Sequence, residues 1–432
     1  MATRPTVTAV RARGADVGDI LAFWAWVGVV LAFSQCWEMY LTGPGPAPIA
    51  ETVSASVRVF FFPVYTVILG LAVMRLGGVG KALLHSPALV LMLIVTIGSI
   101  LWSIDPQVTA RRCIAVGFTT LAGVALAERF AWPRLLEVVG AAFGITVLIS
   151  FANVLLIPKY GIMQFDFPGA WRGAWSHKNM LGYYMSVAFM VFVASAVANP
   201  QRRRFWSIAA AAAVALILLS DSKTSLVSCL IGAGCMVLMA ASRRGPAWAV
   251  AGTYLWVSAL LGVVLTILIA PNLLFGLIGK DATFTGRTQI WSAVMRQIAL
   301  RPMLGYGYGA VWDNHSIWGP LPWISKEQGF VIHEAHNTWL GVWLELGYVG
   351  LIAWTLLFAA IWARALPTLY VRGTTFFALP FLVVFSLHSV TEAIALAQND
   401  LVWMLLSATA VKLAAPALGR RQTSALSRAG QR

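Results

Sequence analysis

The chain has 432 residues, of which 59% are hydrophobic and only 11% are charged, whereas a soluble domain carries about 25% charged residues. This composition excludes an ordinary soluble protein and predicts an integral membrane protein. The net charge of +15 would suit a nucleic-acid binder, but in a membrane chain the distribution of Lys and Arg matters more than their sum. We therefore expect no nucleic-acid partner.

About twelve apolar segments are long enough to cross a hydrocarbon core of about 30 Å. An even number, together with short basic turns such as 201–204 and 242–246, predicts that both termini lie in the cytoplasm. The first segment is expected to be retained, because it is rich in Trp and lacks a cleavage site of small residues. The segments are 20–41, 57–74, 87–103, 113–127, 135–157, 180–198, 205–219, 224–241, 248–270, 338–363, 375–391 and 400–415.

This pattern predicts an all-α, polytopic integral membrane protein in three parts. Residues 1–270 would hold transmembrane helices 1 to 9, and residues 271–337 a large, partly helical loop on the outer side. Residues 338–432 would hold helices 10 to 12 and a basic cytoplasmic tail. The four cysteines lie in apolar runs without metal-site spacing, so we expect them to be packing residues.

A shorter outer loop, 158–179, ends in the sequence WRGAWSHKN, with Arg172, His177, Lys178 and Asn179 at the start of a span. Trp, Arg and Lys gather at headgroups in any membrane protein, so simple anchoring is one interpretation. The other is functional, because this side of the membrane should be poor in cations. Cations concentrated there suit the binding of a pyrophosphate.

The sequence GRTQIW begins a predicted amphipathic helix over 286–301, which Pro302 ends. This helix could simply lie at the membrane interface. Alternatively, Arg287 faces a cavity, where its guanidinium can hold two phosphate oxygens and neutralise a leaving group. Arg301 continues the same helix face, and the glycines within 305–309 predict a turn in which backbone can approach a ligand.

The sequence HEAH at 333–336 places two imidazoles and a carboxylate close together. A zinc site needs three or four ligands, and nothing nearby in the sequence supplies a further one. His336 is therefore interpreted as a general base or as a partner to a sugar hydroxyl, whereas His333 could equally be a polar residue that caps the next span. Glu392, with His388 one turn before it, is a second carboxylate that could reach the same cavity.

Asp221 and Lys223 lie between two short apolar runs in the sequence SDSKTS. Charges there are costly unless they face a cavity or pair with each other. Both possibilities are open, and Lys223 is a candidate for substrate binding.

The motifs described above, in the order in which they occur along the chain, resemble those of the O-antigen ligase and polysaccharide polymerase superfamily. Lys223 departs from the family pattern, which usually has Arg there, and a lysine keeps the charge but loses the two-pronged contact. The matching motifs are Arg172-Gly173 with His177-Lys178-Asn179, Ser222-Lys223-Thr224, Gly286-Arg287-Thr288-Gln289-Ile290-Trp291, Arg301-Pro302-Met303-Leu304-Gly305-Tyr306-Gly307, and His336-Asn337 followed by Gly347-Tyr348-Val349-Gly350.

The resemblance implies a GT-C-like fold and metal-independent, inverting glycosyl transfer at the periplasmic face of the bacterial inner membrane. The implied partners are a polyprenyl (undecaprenyl) pyrophosphate-linked oligosaccharide, an acceptor glycan, membrane lipid and other polysaccharide assembly proteins, with no cofactor. Pyrophosphate stabilisation would fall to Arg172 and Arg287, and proton removal to His336. Further substrate contacts would come from His177, Lys178, Asn179, Lys223, Arg301, Asn337 and Glu392.

Within the superfamily, likeness to exopolysaccharide polymerases favours a polymerase over a ligase that moves glycan onto lipid A core. A lipid-linked oligosaccharide flippase is an alternative of a different class, because it would also have a dozen spans and cationic residues. Transporters usually place substrate sites near the bilayer midplane. Here the cations concentrate in the outer loops, which favours an enzyme.

Overall fold

The computed structural model describes residues 17–43, 50–164, 167–269, 287–313, 319–328, 332, 334–371 and 375–414. The predicted all-α class is confirmed for these residues, in which the one β-type pairing is an isolated bridge between Ile162 and Trp171. The helices are α1 (Val17–Phe33), α2 (Glu38–Thr42), α3 (Ala50–Val73), α4 (Leu76–Leu84), α5 (Pro87–Gly98), α6 (Pro106–Arg129), α7 (Trp132–Leu156), α8 (Pro158–Gly161), α9 (Lys178–Ala198), α10 (Arg203–Leu219), α11 (Lys223–Ser242), α12 (Pro246–Ile269), α13 (Arg287–Leu300), α14 (Ala310–Asp313), α15 (Pro320–Gln328), α16 (Thr338–Ala365), α17 (Ala378–Thr391) and α18 (Leu401–Ala414).

Each predicted apolar segment coincides with a helix, although the first is interrupted between α1 and α2. By length and composition, six helices of the described residues can cross a membrane, or seven if the pair α4 and α5, bent by 94°, forms one broken span. Three shorter apolar helices, α1, α17 and α18, add to these. The model thus supports a polytopic protein, and the number twelve stays a prediction.

Helix α9 is the most enclosed of the candidate spans and packs against α7, α10, α11 and α17. Its buried aromatic side chains continue into the loop before it, where Trp175 stacks on Tyr184 with ring centroids 5.0 Å apart. Large apolar side chains on the outer helices, such as Leu148 and Ile208, are exposed, as expected for a surface that faces lipid. The N-terminal end of α9 is also buried, since Trp175 and Lys178 are 1% and 6% exposed.

The predicted amphipathic helix is confirmed as α13, which ends just before Pro302. Its apolar face, including Ile290, Val294 and Ile298, is buried in a small separate core with Ile324 of α15 and Leu344 of α16. Because α13 packs against protein on this face, its first residue, Arg287, is held in a defined place beside α16.

Helix α16 is broken at Gly347, whose φ of 64° and ψ of −164° are not helical. The break leaves amides and carbonyls of this apolar helix without their usual partners, which is tolerated only where other protein groups satisfy them. The loop after α13 supplies these partners through backbone hydrogen bonds. The bonds run from Tyr306 N to Leu344 O (3.2 Å), Gly307 N to Glu345 O (2.8 Å), Tyr348 N to Pro302 O (2.8 Å) and Val349 N to Met303 O (3.3 Å).

Candidate active site

Arg287, Glu392 and His336 meet where α13 begins, α16 begins and α17 ends. Arg287 Nη2 donates to Glu392 Oε1 at 2.6 Å, and His336 Nδ1 lies 3.2 Å from Glu392 Oε2. Each carboxylate oxygen of Glu392 therefore contacts a different basic side chain. The side chains of Arg287 and Glu392 are 16% and 25% exposed, so the cluster is sheltered but open to a ligand.

Glu334 is a further member of this cluster. Its Oε1 lies 2.9 Å from His336 Nδ1, so that one imidazole nitrogen faces two carboxylates. Burial would lower the pKa of His336, but the hydrogen bonds to Glu334 and Glu392 and their negative charges outweigh it and raise the pKa to about 9. His336 is therefore an imidazolium at neutral pH.

The backbone around His336 is held in an uncommon conformation by its neighbours. His336 has a φ of 47°, in the left-handed region that non-glycine residues seldom occupy. The next residue, Asn337, caps α16 by accepting bonds from the amides of Trp339 and Leu340, and its Nδ2 donates to Val390 O at 3.2 Å. The structure thus gives Asn337 an architectural role, and its predicted contact with substrate stays a prediction.

Thr338 fixes the segment that carries Glu392. Its hydroxyl donates to Glu392 O at 2.8 Å and accepts from Ile394 N at 3.0 Å. Glu392 N in turn donates to His388 O at 2.7 Å, which closes the last turn of α17. The backbone of Glu392 is therefore bonded on both sides, while its side chain points to Arg287 and His336.

Two buried polar groups lie beneath the cluster, in the interface between α9 and α17. The rings of Tyr183 and His388 have centroids 4.4 Å apart. Tyr183 Oη and His388 Nε2 are both buried without a hydrogen-bond partner among the described residues, and the charge of Glu392 acts on both side chains. Sequence reasoning missed Tyr183, because an aromatic residue in an apolar run carries no signal of its partners.

Lys178, the first residue of α9, forms a second ion pair at the N-terminal end of this helix. Lys178 Nζ lies 3.1 Å from both the backbone oxygen and Oδ2 of Asp221, and the ring of Phe167 covers it at 4.1 Å. His177 caps α9 by accepting a bond from Asn179 N at 3.1 Å. Of the predicted substrate ligands, His177, Lys178 and Asn179 are thus together at one helix end.

Arg172 is 6% exposed and supports the loop that leads into α9. Its Nε donates to Tyr160 O at 2.9 Å and its Nη2 to Lys159 O at 2.7 Å. Burial lowers the pKa of its guanidinium. Contacts with backbone carbonyls indicate that Arg172 stabilises this loop, and its predicted contact with pyrophosphate stays a prediction.

Arg301 lies away from Arg287, at the opposite end of α13. A helix of this length rises about 1.5 Å per residue, so about 20 Å separate the two. Arg301 is exposed, lies over the Tyr306 ring at 5.2 Å and lines a cleft of about 280 Å³ with Trp102. The structure therefore does not bring Arg301 into the cluster. Lys223, at the start of α11, is exposed beside Asp221.

The glycine turn packs closely against other segments of the protein. A Cβ on Gly307 would lie 2.3 Å from the Ser103 hydroxyl oxygen, and one on Gly305 2.6 Å from the backbone of Glu345. These glycines permit close approach to other protein segments, and the predicted approach of this backbone to a ligand stays a prediction. Gly286 and His333 lie outside the described residues.

The sequence argument against a metal assumed that no further ligand lies near His336, and this premise is wrong. Glu334, His336 and Glu392 offer ligand atoms within 4.8 Å of one another. Glu392 comes 56 residues after His336 in the chain, so sequence spacing could not reveal it. However, a basic side chain already contacts each oxygen of Glu392.

Comparison with known proteins finds one family model and two relatives that are similar to this chain. Residues 208–355 match the family model described as O-Antigen ligase, a segment that contains Arg287 and His336. The chain is 29% identical over 232 residues to the exopolysaccharide production protein ExoQ of Rhizobium meliloti (strain 1021), covering 50% of this chain and 51% of that protein. It is 30% identical over 144 residues to an O-antigen ligase of Pseudomonas aeruginosa, covering 33% of this chain and 30% of that protein.

The matches thus span about half the length of the first relative and less of the second. The family model covers the motifs from Ser222 to Gly350, whereas Arg172 and the segment His177–Asn179 lie before the matched residues. The resemblance inferred from the motifs is confirmed: the chain is similar to the O-antigen ligase family over residues 208–355, and to ExoQ over about half of its length.

Proposed function

We propose that this protein is a membrane glycosyltransferase that moves a glycan from polyprenyl pyrophosphate to a sugar hydroxyl at the periplasmic face of the inner membrane. The observation that carries the proposal is the cluster of Arg287, His336 and Glu392, with Arg287 and Glu392 joined at 2.6 Å. A guanidinium, an imidazole and a carboxylate at one partly open site can stabilise a leaving group and transfer a proton.

The donor is already activated, so the reaction needs one displacement. The acceptor oxygen forms a bond with the anomeric carbon while the bond from that carbon to the pyrophosphate oxygen breaks, and the electron pair leaves with the lipid pyrophosphate. Arg287 neutralises the charge that develops on the leaving group. The acceptor proton passes to neutral His336. Attack opposite to the leaving group inverts the anomeric centre.

The carboxylates have a part in the proton transfer. Glu334 and Glu392 both face His336 Nδ1, which leaves Nε2 as the nitrogen to take the acceptor proton. Negative charge beside Nδ1 stabilises the imidazolium that forms as the bond is made. The same carboxylates keep most of the protein protonated at His336 at neutral pH, because they raise its pKa to about 9.

We propose that the reaction needs no metal ion. Arg287 occupies one oxygen of Glu392 and His336 the other, so the positive charge that a divalent ion would bring is already supplied by side chains. A pyrophosphate leaving group whose charge is neutralised by an arginine does not need a metal ion as a Lewis acid. Chelation therefore tests the proposal directly.

Polymerisation of repeat units is the favoured activity, because the relative that aligns over more of the chain is named for exopolysaccharide production. Transfer of finished glycan to lipid A core is the second candidate, because the other relative is an O-antigen ligase. Both use the same donor and the same site chemistry. They differ in the acceptor.

The test is to incubate the purified protein in nanodiscs with a polyprenyl pyrophosphate-linked oligosaccharide, with and without lipid A core. Longer lipid-linked glycan supports a polymerase, and glycan on the core supports a ligase. Arg287→Ala should abolish either product, and Arg204→Ala, an exposed arginine at the start of α10, should not.

Activity lost with EDTA and restored by Mg²⁺ would contradict metal independence. Movement of donor across a vesicle membrane without any glycan product would favour the flippase alternative.

A further inference from the structure

The site is charge-balanced before any substrate binds. Two acidic side chains, Glu334 and Glu392, face two basic ones, Arg287 and His336. Arg287 is the residue that the proposed function needs for pyrophosphate, yet its Nη2 donates to Glu392 Oε1 at 2.6 Å. The donor pyrophosphate must therefore compete with the Glu392 carboxylate, which is already bound to the guanidinium.

We infer that the Glu392 carboxylate is an internal substitute for the donor pyrophosphate, which binds by displacing it from Arg287. This inference rests on the proposed function. A donor pyrophosphate carries a negative charge on each phosphate and offers more acceptor oxygens than one carboxylate. It is therefore the stronger partner for a guanidinium.

The exchange requires only a side-chain rotation. The backbone of Glu392 is held by bonds to His388 O and from the Thr338 hydroxyl, so the residue stays in place when its carboxylate leaves Arg287. Its other oxygen already lies 3.2 Å from His336 Nδ1. The displaced carboxylate therefore remains with His336, the residue that takes the acceptor proton.

The exchange orders the reaction. Until donor arrives, Glu392 is shared between Arg287 and His336, and afterwards it serves His336 alone. The negative charge that stabilises an imidazolium is thus concentrated on the base only when the electrophile is present. An acceptor bound without donor meets a base whose carboxylate partner is still shared with Arg287.

The inference can be tested by binding alone, with a sugar-free polyprenyl pyrophosphate and protein in nanodiscs. Glu392→Gln removes the competing charge, so the affinity for this lipid should rise about tenfold, the size of one displaced charged hydrogen bond. Glu334→Gln is the matched control, because Glu334 contacts His336. It removes the same charge but should raise affinity much less.

The gain must also depend on Arg287. In an Arg287→Ala background, Glu392→Gln should no longer improve binding, whereas a general electrostatic effect would persist. Glu392→Asp provides a second variant that keeps the charge but shortens its reach, and it should also bind more tightly than the wild type. Thermal unfolding shows that each variant is folded.

The inference is overturned if folded Glu392→Gln and Glu392→Asp bind no more tightly than the wild type, or if Glu334→Gln gains as much as Glu392→Gln. Because no glycan is transferred in this experiment, its outcome is separate from that of the proposed function. A gain in affinity without any transferase activity would leave the exchange intact and refute the enzyme assignment.

Discussion

Arg287 and Glu392 lie 105 residues apart in the chain, and their side chains form the shortest ion pair of the candidate site, at 2.6 Å. Their contact joins the first turn of α13 to the residue that follows α17. Any change in the guanidinium therefore affects both its proposed ligand and the carboxylate that contacts His336.

Arg287→Lys should lower the rate of glycan transfer by roughly 10²-fold or more, about the loss seen when one donor of an oxyanion site is removed. Lysine keeps the charge but not the two-pronged geometry. The measurement is kcat/KM with a lipid-linked oligosaccharide. Arg296→Lys, an exposed position on the same helix, is the control. Equal activity of Arg287→Lys and Arg296→Lys would show that the guanidinium of Arg287 is not needed for the reaction.

The rate should rise with pH up to about 9. The pKa of His336 is raised from its ordinary 6.5 to about 9, so the neutral base forms only as the pH approaches that value. In Glu392→Gln one of the raising partners is lost, and the rise should move to lower pH. The profile of kcat/KM against pH measures both. A rate that falls between pH 7 and 9 would contradict the role of His336 as a base.

The same titration has a consequence for stability. A raised folded pKa means that the imidazolium stabilises the fold fully below about pH 6.5 and that this contribution is lost as the pH rises through about 9.

His336→Ala should lose transfer at neutral pH while it still binds donor, and it should regain part of the rate in more basic solution. If His336→Ala loses donor affinity and Arg287→Ala does not, the two roles are reversed.

Arg172→Lys should destabilise the protein as well as slow it. A lysine ammonium lacks the planar fork that places Nε and Nη2 of Arg172 on Tyr160 O and Lys159 O. We therefore expect at least one of the two bonds to be lost, and a buried group left without its bond costs about 1–3 kcal/mol. Thermal unfolding in nanodiscs measures the loss, with the exposed Arg204→Lys as the control. The loss of activity should be milder than for Arg287→Lys, because Lys178 is close in the chain and can also neutralise charge on the pyrophosphate. Unchanged stability would mean that the carbonyl contacts of Arg172 contribute nothing.

The topology can be tested with single cysteines, because the four native cysteines are buried. Ser176→Cys, at an exposed position before α9, should react with an impermeant maleimide added from outside. Gln201→Cys, exposed in the basic turn before α10, should react only after the membrane is opened. Ser242, which sequence alone suggested for the inner side, is 5% exposed and unsuitable. The reverse pattern would place the site in the cytoplasm.

Gly347→Ala should destabilise the packing of α16 against the loop that follows α13. Its positive φ disfavours a side chain, and the added Cβ would lie 2.2 Å from the carbonyl of Met303. We expect a fall in the free energy of unfolding of at least about 1 kcal/mol. Gly234→Ala, within α11 and with open space at its Cβ, should be neutral or slightly stabilising. Equal unfolding temperatures for Gly347→Ala and Gly234→Ala would contradict this role of Gly347.

The sequence predicted those features that depend on local periodicity. Apolar runs marked the helices, and Pro302 and the apolar spacing before it marked α13. These succeed because a helix in lipid must satisfy its backbone within the segment, whatever the rest of the chain does.

Pairings between distant segments could not be predicted. Asp221 has a lysine two residues away, yet its carboxylate binds Lys178, 43 residues earlier. Glu334 belongs to the local sequence HEAH, but the second carboxylate at His336 Nδ1 comes from Glu392. The glycine turn was interpreted from its flexibility, and flexibility alone does not say whether ligand or protein approaches. In each case the packing of helices that are distant in sequence decides the contact.

The broken helix α16 joins the two proposed catalytic residues mechanically. Its first half starts beside His336, and the loop bonded to its break at Gly347 is the direct continuation of the helix that starts at Arg287. The spacing of arginine and histidine thus depends on main-chain hydrogen bonds rather than on contacts between side chains. Residues around this brace can change to accept another sugar or another acceptor while the reacting groups keep their separation, so that one frame could serve both chain growth and chain transfer.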